Sequence, residues 1–180
     1  MCRSATIIAL CLATSGAVCA ISADRSPQNP ELFLARIRNE GAAAVVQSLW
    51  ETTGWSDLTA HVSSGKPEWV DVAIAISPGT DAGATEELQD ALFAGLGQNP
   101  TYELSVLPVD ESDGSPLSLS TICSGRSDPL GTYAASIAEL QRVETAVEKV
   151  SIKSLERRKR QCLAQLTMGE ANLKRYFAVP

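Results

Sequence analysis

Apolar residues recur at steps of three and four along most of this chain, the period of a helix with one buried face. The clearest run is Tyr133, Ile137, Leu140, Val143, Val147 and Val150, one stripe on a helix of about 18 residues. A second stripe follows in Ile152, Leu155, Cys162, Leu163 and Leu166. Upstream, Ala84, Leu88, Ala91, Leu92 and Leu96 share one face, with Glu86, Glu87, Gln89 and Asp90 elsewhere around it. Asn29-Pro30-Glu31 supplies a cap, a proline at the first helical position and an early acid, so a helix is predicted to start there. Leu32, Phe33, Ala35 and Ile37 continue it until Gly41 interrupts. Ala42 to Trp50 resumes the pattern, and Gly54 is read as its end. Ser56-Asp57 then caps a short helix carrying Leu58 and Val62, stopped by Ser63-Ser64-Gly65. Asn99-Pro100 opens another, to about Leu107, and 108–118 reads as loop.

One segment breaks the period. Val70, Val72, Ile74 and Ile76 alternate with Asp71, Ala73, Ala75 and Ser77, a pattern of two that suits a strand. A lone strand would leave its backbone groups unpaired, and no second convincing strand is present to meet it. A central helix buried nearly all round carries the same pattern, and helix is the expectation here. The junction near Val150 and Ser151 has neither glycine nor proline, so periodicity alone does not separate a continuous rod from a hairpin.

The first twenty residues read differently from the rest. Arg3 precedes an apolar run from Ala5 to Ala13, and Val18-Cys19-Ala20 resembles a signal-peptidase site. The run is shorter than the about 20 residues of a spanning helix. A secretory signal over 1–20 is expected, with a periplasmic or secreted product starting near Ile21 and no stable membrane insertion after cleavage. Lipidation of Cys19 is disfavoured by Val18, where Gly, Ala or Ser is usual. The domain plan is then a leader at 21–28, one helical domain at 29–168 and a tail at 169–180.

Hydrophobic residues make up 44% and charged residues 20% of the chain, an ordinary globular balance. Fifteen basic residues stand against 21 acidic ones, and only Arg3 leaves with the signal. An acidic chain is poorly suited to general nucleic-acid binding, which rests on cations displacing counterions. It suits a basic protein partner better. Of five cysteines, only Cys123 and Cys162 lie beyond the signal, an even pair expected as a disulfide in an exported chain. Closing a loop of about 40 residues is worth roughly 4 kcal/mol in the chain-entropy model. The bond also decides the rod against the hairpin, since a straight rod holds the two cysteines too far apart to join.

Candidate chemistry is sparse. Ser63-Ser64-Gly65-Lys66 has Ser-x-x-Lys spacing, but Gly65 and Pro67 break the helix that geometry requires. Gly95-Leu96-Gly97-Gln98 with Asn99-Pro100 is faintly similar to elements of lytic transglycosylases, whose catalytic glutamate would lie upstream. The only Glu-Ser pair, Glu111-Ser112, lies downstream in a polar loop. His61 is the sole histidine, so a triad would have to use it, yet no serine lies in a Gly-x-Ser-x-Gly elbow, and one histidine cannot supply the usual partners for zinc. Asp110, Glu111, Asp113 and Gly114 lack calcium-loop spacing. No metal or cofactor is expected. Arg157 to Arg160 is read as a solvated face near a helix C-terminus, with anionic lipid or a partner as the alternative. Trp50, Trp55 and Trp69 fall within 20 residues, either as core or as a partner-binding patch.

The stretch from Trp69 to Asn99-Pro100 resembles a group of small exported helical proteins of proteobacteria without assigned activity. Thr80-Asp81-Ala82-Gly83-Ala84 and the Leu88/Leu92 helix carry the likeness, and the positions of Cys123 and Cys162 fit it. The resemblance implies short antiparallel helix pairs, similar to HEAT or armadillo packing, and no catalytic residue. The expectation is therefore an all-α fold of short pairs followed by a longer C-terminal hairpin. In function it is a non-enzymatic protein-interaction module, of immunity or inhibitor type, with an acidic surface. The alternative is a periplasmic cell-wall hydrolase. A buried glutamate of raised pKa in a cleft would favour the hydrolase, and an apolar patch rimmed by acids would favour binding.

Overall fold

The computed structural model describes residues 29–109 and 115–178. The expected signal, the leader and the acidic loop at 110–114 lie outside the described residues. Within them the fold is all-α, with nine α-helices, two 3₁₀ turns and no strand.

Three short helices open it: α1 (Pro30–Glu40), α2 (Ala42–Trp50) and α3 (Gly54–Val62). Asn29 caps α1 as the sequence predicts, its side chain accepting from the Glu31 and Leu32 amides at 2.9 and 3.3 Å. Gly41 alone separates α1 from α2; its φ of 84° is a conformation that side chains resist. Gly54 does not end a helix but begins α3. A Cβ there would stand 2.7 Å from Leu49 Cδ2, a side-chain tip that would have to move aside, so this glycine packs closely against α2 and does not terminate it. Ser56 and Asp57 accordingly lie inside α3, and Thr53 holds the cap position.

The ambiguous alternating segment is α4 (Pro67–Ile76). Trp69, Val70, Val72, Ala73 and Ile76 are all buried, with Ile74 and Ala75 packed at the core edge. Helices α1, α2, α3, α5 (Ala82–Leu96) and α6 (Pro100–Val106) all touch α4. A helix enclosed on so many sides needs no polar stripe, which is why its apolar residues defied the usual period. Asp81 caps α5 through the Ala84 amide at 2.9 Å, and Tyr102 on α6 donates its hydroxyl to Asp71 on α4 at 2.7 Å.

The C-terminal part comprises α7 (Leu119–Cys123), α8 (Tyr133–Glu148) and α9 (Glu156–Ala178). Helix α9 folds back along α8 after a 3₁₀ turn at Lys153–Leu155, forming the hairpin. Residues 169–178, expected as a tail, continue α9. Gly169 is buried there because its bare Cα lets the Ser124 carbonyl approach, at 2.5 Å from where a Cβ would stand.

Cys123 and Cys162 are bonded, with Cα atoms 5.1 Å apart and no exposure of either residue. Peptide mapping without reductant is expected to recover this link. Cys162→Ser is expected to lower stability by about 2–4 kcal/mol while far-UV circular dichroism stays helical. Two free thiols in protein made in an oxidising compartment would contradict it.

Candidate functional site

Three residues of turn separate the end of α2 from the first turn of α3, which places Trp50 and Trp55 against each other. Their rings stack at 5.4 Å between centroids and 18° between planes. Trp55 is 3% exposed and donates its indole N–H to Glu87 Oε2 on α5 at 2.8 Å. Trp50 is 47% exposed. The pair thus has one ring built into the core and one laid on it, facing outward. Glu87, whose carboxylate meets the pair through Trp55, is exposed, and so is Glu51, the next residue in the chain after Trp50.

Trp69 is elsewhere. It is buried on α4, stacked on His61 at 4.4 Å and tilted against Phe33 at 6.4 Å. The expected tryptophan patch therefore reduces to Trp50 backed by Trp55, because Trp69 points into the helix core. His61, half-buried on that ring, is a packing residue.

Charge is divided along the chain. Between residues 29 and 109 there are eleven acidic and three basic residues, and between 115 and 178 six acidic and ten basic. The Trp50 surface belongs to the acidic part. The basic run Arg157–Arg160 opens α9 and does not close a helix, which corrects the expected placement. Its cations serve other elements' carbonyls: Lys159 donates to Glu148 and Val150 at the end of α8, at 2.6 and 2.8 Å, and Arg158 donates to Leu107. Lys159 thereby meets the negative end of α8, the dipole effect expected of the run's own helix. Arg157 and Arg160 remain exposed.

The motif-like fragments have structural roles. Ser63 and Ser64 donate to the Thr59 and His61 carbonyls at 2.8 and 2.6 Å, finishing α3. Asn99 caps α6 and Pro100 is its first residue. Gly95 admits a neighbour: a Cβ there would lie 2.6 Å from Glu103 Oε1 and 2.9 Å from the Val62 carbonyl.

Glu103 escaped the sequence reading. An acid in the first turn of a helix looks like an ordinary dipole partner. Yet Glu103 is 0% exposed, and neither carboxylate oxygen has a hydrogen-bond partner. Burial holds its carboxyl well above the usual value. The neutral acid is the form this site tolerates.

Among the described residues, no group of three or more His, Cys, Asp or Glu is arranged to hold a metal ion. No described helix is long and apolar enough to cross a membrane. Comparison with known protein families, characterised proteins and solved structures gives no match to this chain.

Glu103 generates a pH prediction. Its folded pKa is raised, so its contribution is fully present below the unfolded value of about 4.3 and is lost as pH rises through the folded value. Urea unfolding of the native protein at pH 5 and pH 8 is compared with Glu103→Gln, which cannot ionise. The native protein should lose more stability than the variant over that interval; equal losses would contradict it.

Proposed function

We propose that this chain is a non-enzymatic, exported protein-interaction module that receives a basic partner on its acidic surface, with Trp50 at the contact. The observation that carries this reading is the half-exposed Trp50 ring, stacked on a buried tryptophan that Glu87 holds, with exposed Glu51 next in the chain. A large flat ring already fixed by its neighbour loses little freedom on binding, and Trp is the residue most enriched among interface hot spots. Its outer face attracts a cation by about 0.5–2 kcal/mol, with Arg the commoner partner, and these carboxylates add charge complementarity. The excess of acids between 29 and 109 would draw a basic protein toward that face. An immunity-type or inhibitor role is one form of this reading, and the signal-like 1–20 segment supports a periplasmic or secreted location.

The hydrolase reading draws on Glu103, a buried acid of raised pKa. A glycosidase acid must touch the leaving oxygen of its substrate. With 0% exposure, Glu103 has no surface to offer one, which favours the interaction module.

The test is capture from the native envelope with tagged protein, compared against Trp50→Ser and Glu51→Lys. A basic protein retained by the native chain and lost from both variants, each with unchanged circular dichroism, is the expected result. Equal retention by all three removes this surface from the function.

A further inference from the structure

A second feature lies across the molecule's C-terminal part, where the 124–131 loop bridges α7 and α8. Its fixation is elaborate for a surface loop. The disulfide anchors its start at Cys123, and buried Asp90 on α5 accepts from both the Ser127 amide and hydroxyl, at 2.8 and 3.0 Å. Ser136 on α8 accepts from the Leu130 amide at 2.9 Å, holding the far end. Between this loop, α8 and α9 lies a half-open cavity of about 240 Å³. A loop tied at both ends and in its middle does not settle into that space, so the cavity stands preformed, as ligand sites usually do. Leu173 and Tyr176 make its outer apolar wall, with Phe93 and Leu140 forming the inner one.

The charges at its polar side are already paired with one another. Arg126 meets Asp90 at 3.2 Å and Glu139 at 3.7 Å, and Glu139 meets Arg142 at 3.8 Å. The second oxygen of Glu139 is covered by protein and out of a ligand's reach. Two cations and two carboxylates cancel, so a charged ligand would lose its water on entry and find no partner without breaking a pair. Neutral donors remain at the mouth. The Asn172 side-chain oxygen accepts from Arg175 at 2.7 Å, while its amide N–H groups and the Tyr176 hydroxyl donate to no group among the described residues. Size narrows the choice further. A closed apolar cavity of about 150 Å³ holds benzene, and drug-sized sites run from roughly 300 to 1,000 Å³. We propose that this cavity binds a small uncharged molecule, a single ring with a short substituent that carries an oxygen acceptor. The ring lies against Leu173 and Tyr176, and the oxygen accepts from the Asn172 amide.

The test is a ¹H–¹⁵N NMR titration of the full chain with benzyl alcohol and with its charged near-isosteres, benzylammonium and benzoate. Benzyl alcohol is expected to shift the Gly125, Ser127 and Gly169 amides saturably, with a dissociation constant about tenfold or more below that of either ion. Leu173→Trp, which fills the cavity, should abolish those shifts. Tyr176 is 62% exposed, so Tyr176→Ala removes part of the wall without touching the core. That variant should weaken binding by about fivefold with circular dichroism unchanged, and it decides alone if Leu173→Trp does not fold. Equal or tighter binding of either ion, affinity unmoved by Tyr176→Ala, or no saturable shift of these amides overturns the proposal. Trp50→Ser leaves this cavity intact, so the fate of the cavity and that of the Trp50 surface are read separately.

Discussion

A helix of 16 residues followed by one of 23 can continue as a rod or turn back, and a covalent bond from Cys123 to Cys162 permits only the return. The constraint reaches beyond the hairpin. With Cys162 fixed beside α7, the second half of α9 must pass the 124–131 loop, and Gly169 marks where backbone meets backbone. The N-terminal ends of α9 and its turn then stand against 107–109, where Arg158 and Gln161 donate to the Leu107 and Val109 carbonyls. These carbonyls lie beyond the helical ladder of α6 and would otherwise depend on water. One bond thus sets which cations are free to act as a surface and which are consumed in holding the fold.

What could be read from the chain follows from how local each cause is. Caps act within three residues, so Asn29 and Asn99 announced their helices, and Pro30 and Pro100 confirmed the starts. Glycines are less legible because two unlike causes select them. Gly41 is there for its φ, which sequence reading anticipates, whereas Gly169 is there because backbone approaches its Cα. That second cause is tertiary and leaves no local trace. The α4 segment sits between these cases: β-branched alternation argued for a strand, and the lack of any strand to pair with argued against it. The decision came from backbone hydrogen bonding, not from side-chain pattern.

The functional residues were less legible than the fold for a related reason. Trp50 and Trp55 differ by five positions and by 44 points of exposure, 47% against 3%. Nothing in composition separates them; the sign of the difference depends on α5 arriving to supply Glu87. Likewise Glu103 reads as a helix-start acid until α3 and α5 close over it, and Glu139 reads as a polar-face acid although its Oε2 is buried without a partner. Each of these is an acid whose meaning is set by a neighbour distant in sequence.

Helix α5 carries three of those long-range relations on successive turns. Glu87 holds Trp55, Asp90 holds the 124–131 loop, and Phe93 forms a wall of the cavity. The spacing of three residues puts them along one side of the helix. The aromatic surface and the cavity therefore rest on a common support, and the question is whether occupancy of one is felt at the other. For that, α5 would need a second position of similar energy. Ala84, Leu88, Leu92 and Leu96 on the same helix are all 0% exposed, so sliding it would open cavities along its full length. Truncating one such leucine costs about 2–5 kcal/mol, so disturbing several at once exceeds the about 1–3 kcal/mol of a typical coupling. The helix is thus a rigid mount for both features.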